Sequence, residues 1–163
     1  MGVMRKLLVA FAIAGFSCTA LPCAITPMQL YRDHAALAVE ATEIVLAEAV
    51  KGYASASGTC QFRTVRTLKG RAREEISLSC RAPVAGESTT HPLAHNAPVF
   101  WQQRMGRVTY GTTCQLIQPA FTVGHKYLLL LGVAPDTKQF EEIVEPTDKW
   151  LLFVEQQLQR GEQ

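Results

Sequence analysis

From Met28 to Ala41 the apolar positions recur at helical spacing, with Leu30, His34, Leu37, Ala38 and Ala41 on one face. Thr26-Pro27 supplies a start signal for that helix. The next stretch, Thr42 to Val50, reads two ways. Its Ala and Glu residues favour continued helix, whereas Ile44-Val45-Leu46 favours a strand. A break is expected near Thr42. From Gly58 to Leu68 the residues are β-like, but Phe62, Val65 and Leu68 are spaced by three, which predicts a bulged or strongly coiled strand. Lys69-Gly70 then marks a turn, and Ile76, Leu78 and Cys80 alternate with Ser77 and Ser79 as in a half-buried strand.

The second half opens with a Pro, Gly, Ser, Thr and His-rich stretch, Arg81 to Pro98, read as a long loop. Tyr127 to Leu131 is a continuous apolar run after Gly124, the pattern of a fully buried central strand, and Phe140 to Val144 is a shorter strand. After Pro146, Thr147-Asp148 can cap a last helix with Trp150, Leu151, Phe153, Val154 and Leu158 as its apolar stripe and Gly161 as its end. The order is helix, strands, helix: a mainly β chain of the α+β class.

Ahead of these elements stand Arg5-Lys6, an apolar run of ten residues from Leu7 to Phe16, and the small-x-small site Cys18-Thr19-Ala20. Together they have the form of an export signal, so residues 1–20 are expected to be removed, leaving 21–163 as a single domain. Ten apolar residues are too few for a helix across a bilayer, which needs roughly 18, and no later stretch comes closer. Neither Cys18 nor Cys23 has the aliphatic-then-small approach of a lipidated cysteine. Loss of Arg5 and Lys6 takes the formal charge from +2 to zero, which gives no reason to expect nucleic acid or an anionic membrane as partner. The mature chain is expected to be periplasmic or secreted, monomeric, and without a cofactor.

Cys18 leaves with the signal, so an even set remains: Cys23, Cys60, Cys80 and Cys114. In an exported chain that predicts disulfides. Cys60 and Cys80 lie ten residues either side of Gly70 and can face each other across the hairpin. Cys23 and Cys114 are left for each other. In the chain-entropy model the shorter loop contributes about 3 kcal/mol and the longer one nearer 5.

The order N-terminal Cys23, helix, strand 44–50, Thr67-Leu68-Lys69-Gly70, strand 75–80, then Cys114 before Val123-Gly124-x-Lys126-Tyr127-Leu128 resembles the netrin-like module of the tissue inhibitors of metalloproteinases. The resemblance extends over nearly all of 21–163 and implies a five-stranded OB-like β-barrel with an N-terminal and a C-terminal helix packed on it. It also implies a bridge from the first cysteine to the one before the Val-Gly-x-x-Tyr-Leu-like strand, in agreement with Cys23–Cys114. His95-Asn96-x-Pro98-x-Phe100-Trp101 and Phe140-Glu141-x-Ile143 with Asp148-Lys149-Trp150 are similar to uncharacterised exported bacterial proteins carrying this module.

Four functions compete. In the inhibitors, the amine and carbonyl of the first cysteine chelate the catalytic zinc. Here Leu21-Pro22 would precede Cys23, and the Cys-x-Cys opening is absent, so inhibition through the Cys23 region is the weaker alternative. His91 and His95 have i, i+4 spacing, but zinc needs three or four ligands, and two loop histidines, even with His125 or His34, are read as solvated rather than as a metal site. No Gly-x-Ser-x-Gly, His-Glu-x-x-His or phosphate-cradling glycine loop supports an enzyme. The carboxylates Glu43, Glu48, Glu141 and Glu142 read as a solvated face. The favoured expectation is a disulfide-bonded binding module for a protein or envelope partner, its surface drawn from His91, His95, Phe100, Trp101, Arg104 and Tyr110.

Overall fold

Helix α1 (His34–Glu40) stops just short of Thr42, where the chain turns into strand β1 (Glu43–Ala54). The computed structural model describes residues 34–84, 95–102, 118–133 and 139–161. The export-like segment, the start of the first helix and the Cys23–Cys114 pairing lie outside them. The ambiguity after Thr42 resolves as strand, because Ile44, Val45, Leu46 and Ala47 are all buried. Consecutive buried side chains need cover on both faces of a strand, which a single helix face cannot use.

Strands β2 (Thr59–Lys69), β3 (Glu75–Ser79), β4 (Lys126–Leu131) and β5 (Phe140–Glu142) complete a five-stranded sheet in the order β3-β2-β1-β4-β5. All neighbours are antiparallel. Tyr127 to Leu130 are buried, as their apolar run predicts, but β1 takes the central place and β4 lies beside it. Among the described residues the sheet is open, with β3 and β5 at its edges. Helix α2 (Pro98–Gln102) falls at the end of the expected loop, and helix α3 (Lys149–Gly161) closes the described chain.

The irregular spacing in β2 has a structural cause. Ile44 is opposite Lys69 and Val45 opposite Thr67, so the register passes over Leu68; Leu46 is opposite Arg66 and Ala47 opposite Thr64, so it passes over Val65. Each extra residue is a bulge that turns the strand and re-aims its side chains. Phe62 thereby enters the core on one face while Leu68 packs on the other, and Val65 is left exposed.

Two apolar layers result. On the helix side, Leu37, Ala38, Phe100, Trp150, Leu151 and Val154 pack on Ile44, Leu46, Leu128 and Leu130. On the other side, Val45, Ala47, Ala49, Phe62, Ile76, Tyr127 and Leu129 gather around Phe121. The Phe121 ring meets Phe62 at 4.8 Å, Tyr127 at 5.0 Å and Phe140 at 4.8 Å, each edge to face. Cys60 and Cys80 are bonded within this second layer. They are not directly opposite: Cys60 pairs with Leu78, and the Cys80 N–H donates to Gly58 O, so the bridge runs diagonally.

The corner at Thr42 binds the elements together. Its N–H donates to Leu131 O at 2.9 Å, and Gly70 and Gly132 press on it from the ends of β2 and β4. Both glycines have positive φ, 81° and 74°, and a Cβ would lie 2.5 Å from Thr42 O or 2.1 Å from Thr42 Oγ1 respectively. Lys69 Nζ donates to Ala38 O and Val39 O, capping the last carbonyls of α1. Gly58 also has positive φ but nothing near its missing Cβ. Gly58→Ala should therefore cost about 1 kcal/mol from backbone strain alone, and Gly132→Ala at least about 2 kcal/mol more. Denaturant unfolding of the two variants tests this, and equal losses would show that close approach to Thr42 is not limiting.

Candidate functional site

Of the four buried polar or charged residues among those described, three converge where β5, α3 and the turn before α2 meet, and the fourth is His34 of α1. His95, Glu141 and Asp148 are 4%, 8% and 8% exposed. His95 Nδ1 lies 2.9 Å from Asp148 Oδ2, and His95 Nε2 lies 2.9 Å from Glu141 Oε2. Strand alternation places Glu141 opposite Leu128, on the helix side of β5. Asp148 is the N-cap of α3, its Oδ1 accepting the N–H groups of Trp150 and Leu151. The His95 carbonyl accepts the Trp101 indole N–H at 2.8 Å.

Burial alone would push the Asp148 carboxyl up. The hydrogen bond and charge of His95, with the two cap N–H groups, outweigh it and hold the group below its ordinary 3.8. Because both ring nitrogens of His95 are engaged and the two carboxylates sit at opposite edges of the ring, the trio cannot converge on one ion. Among the described residues, no group of three or more His, Cys, Asp or Glu is arranged to hold a metal.

Around this trio lies an aromatic cluster. Phe100 stands between His34 (5.0 Å, stacked) and His95 (4.9 Å, edge to face), and Trp101, Trp150 and Phe153 enclose them. The His34 Nε2–H donates to Phe100 O at 3.1 Å, since a carbonyl can only accept. Three expected surface residues thus meet here, His95, Phe100 and Trp101, but Phe100 is 6% exposed and Trp101 half-buried, both in contact with the helix-side core. His91, Arg104 and Tyr110 lie outside the described residues.

Several expectations need correction. His95 is a buried, doubly bonded residue and not a solvated loop histidine. Glu141 is buried with it, and Glu43, Glu48 and Glu142 are half-buried and paired with Arg73, Arg63 and His125, so the four are not the solvated face expected of them. The reason is separation: His95 meets residues 46 and 53 positions away, and nothing local marks such a meeting. Helix α2 has no periodic signature in the sequence, because five residues hold little more than one turn. Its one local sign is Pro98 at the first helical position.

Compared with protein-family models, with curated proteins and with solved structures, the chain matches none. Among the described residues, no helix is long and apolar enough to cross a membrane.

Trp101→Ala removes an indole packed in the cluster and unpairs the His95 carbonyl, so it should cost about 3 kcal/mol in denaturant unfolding. An exposed anchor would lose almost nothing. A second outcome concerns pH. The unfolded Asp148 titrates near 3.8 and the folded one lower, so its contribution to stability is complete above 3.8 and is lost as pH falls through the lower folded value. Asp148→Asn keeps a capping side chain but should flatten that part of the stability curve relative to wild type; an unchanged acid limb would refute the assignment.

Proposed function

We propose that this chain is an exported, disulfide-bonded binding module of the netrin-like type, with its open five-stranded sheet as part of an OB-like barrel, and that it acts by holding a protein or envelope partner rather than by turnover. The Cys60–Cys80 bridge supports an oxidising compartment, since such bonds persist there and are rare in a reducing cytosol. It agrees with the export-like residues 1–20.

The observation that carries the binding reading is how the ends of the segment 85–94 are held. On one side Cys80 is bonded to Cys60, the Arg81 N–H donates to Pro119 O, and Arg81 Nε donates to Gln118 O. On the other side His95 is fixed by Glu141 and Asp148. A connection with both ends fastened to rigid elements is the usual way a scaffold offers a recognition loop. The contact is then proposed to fall to that connection, with His91, and to Arg104 and Tyr110, since Phe100 and Trp101 pack in the helix-side core.

The test uses the chain from Leu21 as bait for crosslinking in an envelope fraction, beside a variant with residues 85–94 replaced by a Gly/Ser linker of equal length. A partner enriched by the native chain should fall by about tenfold with the variant, the change expected from losing one or two anchor contacts. Equal enrichment would remove the segment from the contact, and the absence of any enriched partner would count against the binding reading.

A further inference from the structure

We infer that Glu141, His95 and Asp148 form a two-proton clasp, which holds residues 95–102 against β5 and α3 and lets them go when the cluster gains or loses a proton. The inference follows from counting hydrogens. Two carboxylates and one imidazole make two hydrogen bonds, His95 Nδ1 with Asp148 and His95 Nε2 with Glu141, both at 2.9 Å. A carboxylate can only accept, so both bonds exist when the ring carries two protons, or when it carries one and a carboxyl carries the other. Either way the trio holds two protons. Removing one leaves a ring lone pair facing a carboxylate oxygen in a buried site. Adding a third neutralises a carboxylate whose partner nitrogen already bears a proton, so the ion pair is reduced to imidazolium against a neutral carboxyl whose new O–H needs an acceptor of its own. Each change leaves a buried polar group poorly matched, which is costly where water cannot reach.

The mechanical consequence is local. His95 begins the turn that leads into α2, and its carbonyl is the acceptor for the Trp101 indole. Release of the ring therefore loosens both ends of the short segment that carries Phe100 and Trp101. The sheet has its own ladder and the disulfide, so it does not depend on this trio.

Among the described residues, the other titratable groups of the adjoining elements are these: Glu40 of α1 and Arg160 of α3 are exposed, and Glu155 of α3 is paired with Arg66. His34 of α1 lies across Phe100 and is bonded to its carbonyl. Glu142 of β5 is paired with His125 before β4. Lys126 of β4 and Lys149 of α3 are exposed, as is Glu145, whose backbone carbonyl accepts the Asp148 N–H. Of these, His34 is the buried ionisable one, so the test must separate it.

Hydrogen exchange of the Trp101 indole N–H, expressed as a protection factor and divided by that of the Leu129 amide in the sheet, reads the clasp against the global fold. In the native chain that ratio should fall by about tenfold towards both ends of a series from about pH 3 to about pH 9, the scale of one charge-assisted hydrogen bond. The double variant Glu141→Gln with Asp148→Asn, which keeps His34, should show a flat ratio. A constant ratio in the native chain overturns the clasp. So does a double variant with the native profile, which would assign the response to His34. Should the double variant fail to fold, His95→Gln takes its place with the same flat expectation, and a native profile there is equally fatal.

Discussion

Thr42 turns the chain from α1 into β1 in a space that two glycines keep open. Gly70 at the end of β2 and Gly132 after β4 approach so closely that any side chain at either would meet Thr42, and their positive φ values suit no other residue well. That corner fixes the angle between the helix and the central strand. From it follow the seating of Leu37 and Ala38 on Ile44 and Leu46, the cap that Lys69 places on α1, and the alignment of β1 with both neighbours. The Leu68-Lys69-Gly70 run thus acts as a structural clamp: one residue packs on the core, one caps a helix, and one makes room.

The bulges in β2 and the two apolar layers are linked in the same way. A regular strand would send Phe62 and Leu68 to one face, since they are an even number of residues apart. Passing over Val65 and Leu68 in the register divides them between the layers, so each face of the sheet receives a large side chain from β2. The layer around Phe121 then encloses the Cys60–Cys80 bridge, and the helix layer encloses the aromatic cluster.

That cluster gives the buried trio its setting. Asp148 is at once the cap of α3 and an acceptor for His95, and His95 in turn supports the Trp101 indole. A cap, a strand residue and a turn residue are therefore coupled through one imidazole. His95, Phe100 and Trp101, expected at a contact surface, pack inward around these groups.

Much of the architecture follows from local chemistry that the sequence carries by itself. The turn at Gly70, the alternation of Ile76 and Leu78, the buried run of β4, the Asp148 cap and the α3 stripe are set by periodicity and backbone preference within a few residues. The cysteine spacing also indicated the Cys60–Cys80 partners, because a hairpin brings near neighbours together. Its offset depended on where β2 and β3 begin to pair, which is a property of the sheet. Only the tertiary structure could decide that β1 is central, that Phe100 and Trp101 face inward, and that Glu141 and His95 are buried together. These depend on contacts between residues far apart along the chain. Burial of a charged group is favourable only where its partners arrive, and the residues on either side of it do not encode that arrival.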